Sequence, residues 1–229
     1  MTPLPNPEAL AHLRAHGVDD DLALRLALYA ELVLLANRRL NLTGAKTGAA
    51  FAQHIVDALS LRADVESPLI DVGSGNGLPG IPLAVATGVR VTLLEPIKKR
   101  AAFLGQALHL LDLDGDVVAA RAEDAARDAA YREHFRTATA RAVATAPTVA
   151  ELTVPFLAIG GRALLQRGSL EPRERNAVAD AALVLGAELT EERPVDGERR
   201  IVVLTKRAPT SARFPRKNGI PAKRPLCLT

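Results

Sequence analysis

The chain has 229 residues, 48% hydrophobic and 24% charged, which suits one large domain with its own core and excludes a compositionally disordered or fibrous chain. Its single cysteine, Cys227, excludes an internal disulfide, and neither an apolar run of eighteen residues nor a signal-peptide pattern occurs, so a soluble cytoplasmic protein is expected. The net charge of +3 hides an asymmetry: nine Lys/Arg and no Asp/Glu lie beyond residue 198, whereas the preceding residues carry 20 basic and 26 acidic side chains. A basic end on an acidic body points to a polyanionic partner.

Along the chain, the first sixty residues read as helical. "NPEALAHLRAHG" closes at Gly17, and "VDDDLALRLALYAELVLLANRRLNLTG" opens on acids and places Leu22, Leu26, Tyr29, Val33 and Leu40 at helical spacing. A third helix is expected over "GAAFAQHIVDALSLRADV". From Ser67 strands alternate with helices: "PLIDVG", then helix "LPGIPLAVATG"; "VRVTLLEP", then helix "IKKRAAFLGQALHLLDL". "DVVAARAED" and "FRTATARAVA" read as the third and fourth strands. "TAPTVAELTVPFLAIGG" reads as a helix before strand "RALLQRG", and "EPRERNAVADAALVLG" as another helix. "AELTEERPV" and "RRIVVLTKRA" read as an antiparallel pair turning at Asp196-Gly197. The closing "APTSARFPRKNGIPAKRPLCLT" is too rich in Pro and cations for a regular element. The expected fold is α/β: a mostly parallel seven-stranded sheet with helices on both faces. The expected division is a helical extension (1–63), a core (64–207) and a basic tail (208–229) packed on the core or free for a partner.

"IDVGSGNGLPGIP" carries the chemistry. Gly73 follows the first strand, at the sheet edge where open parallel sheets bind ligands. G-x-G-x-x-G read from Gly73 fails at Leu78, and read from Gly75 it starts too late for a dinucleotide fingerprint; no Gly-Lys-Ser/Thr follows for a P-loop. Acid-x-G-x-G-x-G does fit, with Asp71, Gly73, Gly75 and Gly77, the pattern of class I, Rossmann-like, S-adenosylmethionine-dependent methyltransferases. Glu95 ends the second strand, where a carboxylate accepts from both ribose hydroxyls. Glu123 and Asp124 follow the third strand, where such enzymes hold the adenine. The acceptor is less plain. Cys227 is far from the expected site, and the loop after the fourth strand reads "ARAVA" rather than the Asn/Asp-Pro-Pro-aromatic loop of exocyclic amine methylation. Neither a metal cluster nor a Ser-His-Asp pattern stands out. Guanine N7 needs no general base, because its lone pair is already exposed; in-line positioning suffices.

Three blocks resemble one family, the small-subunit ribosomal RNA guanine-N7 methyltransferases, also called glucose-inhibited division protein B. They are "NRRLNLTG" with "HIVDALSL", "DVGSGNGLPGIPLA", and "FPRKNGIPAKRPL". The resemblance implies methyl transfer from S-adenosylmethionine to N7 of a guanine in the 530 loop of 16S rRNA, free or within the small subunit. It implies that Asp71, Gly73, Ser74, Gly75 and Leu78 contact the cofactor, with Glu95 at the ribose and Ala122 and Glu123 at the adenine. Arg141 would close the site, although Ala140 stands where Ser is common. Asn41, Thr43, His54 and Asp57 are expected to line the opening or bind RNA. Arg167 is a further RNA candidate, despite "LLQRGS" where Leu-Lys-Gly is common. Arg216, Lys217, Lys223 and Arg224 are expected on phosphates. Two alternatives are a methyltransferase for a small molecule or protein, and a non-catalytic RNA-binding module. Nine uncompensated cations argue against the first, and the intact Asp71, glycine loop and Glu95 against the second.

Overall fold

The computed structural model describes residues 3–141, 144–197 and 199–227; Ala142 and Val143 of the "ARAVA" stretch and the last two residues of the tail lie outside these. Three helices come first, each with a side-chain oxygen on a free backbone N–H of its first turn. Asn6 caps α1 (Pro7–Ala15), Asp19 caps α2 (Asp20–Leu40) and Thr47 caps α3 (Gly48–Leu59). Helix α2 ends where Asn41 turns left-handed (φ 49°), a conformation that Asn tolerates. Strand and helix then alternate: β1 (Leu69–Val72), α4 (Gly80–Thr87), β2 (Val91–Leu94), α5 (Lys98–Leu110), β3 (Gly115–Val118) and the single turn α6 (Ala122–Ala125). They continue as β4 (Phe135–Arg141), α7 (Ala146–Thr153), β5 (Leu157–Arg167), α8 (Pro172–Val184), β6 (Ala187–Asp196), β7 (Arg199–Lys206) and the short α9 (Ile220–Lys223).

The strands form one sheet in the order β3-β2-β1-β4-β5-β7-β6. The first five are parallel, and β7 enters antiparallel between β5 and β6. The order reverses between β1 and β4, so a crevice opens beyond their carboxyl ends. Strand residues alternate between two apolar layers, which explains their unbroken hydrophobicity. Leu69, Leu93 and Leu164 face a layer built with α1 to α5; Ile70, Leu94 and Leu165 face one built with α7, α8 and Phe214 of the tail. Helices α1 to α3 thus cover one face of the sheet.

Three boundaries differ from the sequence reading. Strand β3 stops at Val118, and Glu123 and Asp124 sit in a helical turn, because Ala122–Ala125 lies past the ladder to β2. Helix α7 stops at Thr153; after a 3-10 turn the chain is already strand at Leu157, where Phe135 pairs with it. Apolar run length alone does not mark that change. The tail is ordered against the body and contains α9.

Candidate active site

Asp71 near the end of β1 is fully buried, with Oδ1 accepting from Thr139 Oγ1 (3.1 Å) and Oδ2 from Gly80 N (3.2 Å). Burial raises its pKa to about 6 against these hydrogen bonds and the charge of Arg141. The loop behind it turns on Gly73, Gly75 and Gly77, with φ of 76°, 55° and 102°. Gly80 is needed for closeness rather than φ: a Cβ there would stand 2.8 Å from Asp71 Cβ and from Leu93 Cδ2. A Cβ on Gly75 would meet nothing nearer than Gly73 O at 3.8 Å, so this backbone faces open space. Ser74 Oγ donates to Asp71 O (2.8 Å), and Leu78 is buried beneath the loop. Tyr29 of α2, which sequence reading placed only in the core, donates to Asn76 O (2.9 Å) and ties α2 to the loop.

Glu95 lies just beyond β2 and is 3% exposed. Its Oε2 accepts from Gly75 N (2.9 Å) and its Oε1 from Ile97 N (2.8 Å), so each oxygen keeps a lone pair. Ala122 and Glu123 are brought to the same sheet edge by α6. Glu123 Oε1 accepts from Gly219 N (2.9 Å), and its neighbour Asp124 accepts from Asn218 Nδ2 (2.8 Å). A left-handed Gly75 facing open space, and a carboxylate with lone pairs free to accept from a diol, fit S-adenosylmethionine.

The "NRRLNLTG" segment packs against this loop. Asn37, not singled out from sequence, accepts from Leu42 N and Thr43 N and donates to Thr43 O, while Asn76 Nδ2 donates to Leu42 O (3.2 Å). Asn41 and Thr43 form the helix-ending turn itself, with Arg100 donating to Asn41 O (3.2 Å) and Thr43 Oγ1 accepting from Ala45 N. Beyond β4 and β5 lies a cavity of about 310 Å³ lined by Asp57, Arg141, Gln166, Arg167, Arg199 and Arg200 among others. Arg141 reaches His54 O (3.4 Å); burial lowers its pKa, opposed by Tyr29, Asp57 and Asp71. Asp57 is also partly buried, which raises its pKa, but hydrogen bonds from His54, Gln53 and Arg199 bring it down to about 2. His54 Nδ1 stands 3.8 Å from Asp57 Oδ2. Gln166 donates to Asp57 O (2.6 Å), and its Oε1 is buried without a partner, the one such side-chain atom among the described residues.

The cations need correction. Arg216, expected on phosphate, forks onto Glu151, a fully buried acid of α7: its Nε reaches both carboxylate oxygens (2.9 and 3.0 Å) and Nη2 reaches Oε2 (2.6 Å). A charge inside the fold needs this partner, so Arg216 anchors the tail. Arg167 lines the cavity, but its guanidinium donates to Ala144 O and to Glu174 (3.0 Å), which takes it from the RNA set. Of the nine cations beyond residue 198, Arg199, Arg200, Lys206, Arg207 and Arg216 pair with Asp57, Glu192, Glu133, Glu188 and Glu151. The charge asymmetry is therefore much less uncompensated than it reads. Lys217, Lys223 and Arg224 are exposed.

The family model for rRNA small subunit methyltransferase G (GidB) matches residues 23–202. The chain belongs to this family. It is 43% identical over 212 residues to the Ribosomal RNA small subunit methyltransferase G of Rubrobacter xylanophilus, covering 85% of this chain and 80% of that one. Against that of Chloroflexus aggregans it is 42% identical over 209 residues, covering 86% and 87%. Two solved structures share the fold. The mitomycin 7-O-methyltransferase MmcR has a TM-score of 0.56 at 16% identity, covering 87% of this chain and 66% of that one. An O-methyltransferase family protein from Burkholderia thailandensis has 0.55 at 12%, covering 86% and 63%. The protein is thus a methyltransferase, and S-adenosylmethionine is the cofactor its loop and acids accommodate. Among the described residues no helix is long and apolar enough to cross a membrane.

Proposed function

We propose that the protein methylates N7 of a guanine in the 530 loop of 16S rRNA, within the small subunit or an assembly intermediate, in the cytoplasm. The observation that carries this reading is the junction of the glycine loop with the Asn37–Thr43 turn, beside a cavity rich in arginine. The first two are the family's sequence blocks, and Arg141 of the third lies between them and α3.

S-adenosylmethionine supplies an electrophilic methyl group when bound. Asp71, Gly73, Ser74, Gly75 and Leu78 would hold its amino acid end and ribose, Glu95 the ribose hydroxyls, and Ala122 and Glu123 the adenine. Guanine N7 carries its lone pair in the ring plane and has no proton to remove, so no residue need serve as general base. The chain's contribution is alignment, which can supply about 7–11 kcal/mol of the barrier. Methylation leaves a positive charge on the purine. Arg141 closes the site between α3 and β4, and Asn41, Thr43 and His54 border its mouth. In this reading residues 1–63 and 208–227 both frame the core.

The test is labelled methyl transfer onto unmodified small subunits and onto free rRNA, followed by chemical cleavage at 7-methylguanine. Cleavage at one guanine of the 530 loop is the expected outcome. Label at another atom or another site overturns the assignment.

A further inference from the structure

Beyond β7 the chain runs back across the molecule as a strap. Thr210 N donates to Glu133 (2.6 Å), and Arg132 donates to the carbonyls of Thr210 (2.6 Å) and Phe214 (3.0 Å), whose ring is buried. Arg216 is locked on Glu151, and Thr148 Oγ1 donates to Pro221 O (3.0 Å). Between these anchors the backbone turns left-handed at Gly219 (φ 78°). At that turn Gly219 N holds Glu123, and Asn218 holds Asp124. The exposed Lys217 precedes this clamp by one residue, and Lys223 and Arg224 follow it within a helical turn.

We propose that the strap couples phosphate binding to cofactor binding. RNA phosphates on Lys217, Lys223 and Arg224 immobilise the segment whose Asn218 and Gly219 orient the acids of α6, so each ligand tightens the other. The proposal rests on the reading that Glu123 borders the adenine and that RNA is the substrate. A contact that is ordered by one ligand and needed by the second produces positive coupling of equal size in both directions. The physical element is short. Five residues separate Lys217 from Lys223, and both acids are held from within that span.

Titration calorimetry on the full chain, with S-adenosylhomocysteine and an RNA hairpin carrying the 530-loop sequence, tests this. The hairpin should tighten S-adenosylhomocysteine at least about fivefold, and S-adenosylhomocysteine should tighten the hairpin by the same factor. Asn218→Ala should weaken S-adenosylhomocysteine in the absence of RNA without moving the melting temperature, and Asn218→Asp should weaken it more by facing Asp124. Methylthioadenosine, which lacks the amino acid end, should lose affinity by the same factor, because the strap acts at the adenine end. Changing Lys217, Lys223 and Arg224 together to Ser should keep the RNA-free cofactor affinity and abolish the coupling. Hairpin binding without a shift in cofactor affinity overturns the coupling alone, as does Asn218→Ala with both adenosyl ligands unaffected. A wild-type chain that binds S-adenosylhomocysteine but neither the hairpin nor unmodified small subunits overturns the RNA reading and the coupling with it.

Discussion

Asp71 shows how one buried carboxylate sets a pH dependence of stability. Unfolded, it releases its proton near the ordinary Asp value of about 3.9, whereas in the fold burial holds the proton up to about 6. Between those values the folded chain binds more protons at this site than the unfolded chain, so the stability that Asp71 contributes is fully present below pH 4 and is lost as pH rises through 6. The contribution amounts to about 3 kcal/mol across the window. Urea denaturation at intervals from pH 4.5 to 7 should show this decline, and Asp71→Asn should flatten it. The glycines give a second contrast. Gly80→Ala drives a methyl into Asp71 and Leu93 and should cost about 1–3 kcal/mol of stability. Gly75→Ala meets open space, so its main effect should be weaker S-adenosylhomocysteine binding, with a loss of about 1–2 kcal/mol from its left-handed φ. Glycine spacing could be read from the sequence because each position has a backbone reason. The role of Asn37 could not, since an Asn near a helix end reads as a cap until the loop it organises is folded beside it.

At the scale of elements, the strap and α7 depend on each other. Arg216→Ala should leave the Glu151 carboxylate buried and unpaired, costing about 3–5 kcal/mol in chemical denaturation. Glu151→Gln with Arg216→Ala should recover part of that loss, because the remaining amide carries no charge. Alternation of strand and helix was legible from Ser67 onward because apolar strands and amphipathic helices differ in period. The start of β5 was not: Leu157–Gly161 continues the apolar character of α7, and its strand state is set by pairing with β4. The same limit applied to the tail. Pro and cations forbid a long helix or strand, but they do not forbid an ordered strap whose backbone bonds run to side chains of the body.

For the whole molecule, the useful lesson lies in the charge. A linear count assigns the C-terminal end nine free cations, yet α3 and the loop after α6, distant in sequence, pair with Arg199 and Lys206, and the neighbouring strand β6 pairs with Arg200 and Arg207. Folding turns most of a polyanion signal into internal pairing and leaves a compact group on the strap. Binding of single-stranded rRNA segments should therefore depend on salt only moderately. Removing Lys217, Lys223 and Arg224 should reduce the slope of log affinity against log salt by about 2, roughly 0.7 for each phosphate no longer neutralised. Filter binding from 50 to 300 mM salt measures this, and an unchanged slope would place the phosphates elsewhere.

The position of β7 has a consequence for the order of synthesis. Strands β5 and β6 are made before it, but β7 must lie between them. A chain emerging from its N-terminus can pair β1 with β2, β3 and then β4 before the rest is made, since all four strands lie in its first 141 residues. It cannot close the sheet until residues 199–206 are free, and it cannot clamp Glu123 until Asn218 and Gly219 follow. Sheet closure and the finished adenine edge thus both wait for the closing stretch of the polypeptide. A message cut short before residue 199 yields a nascent chain in which β6 has no strand to join it to β5.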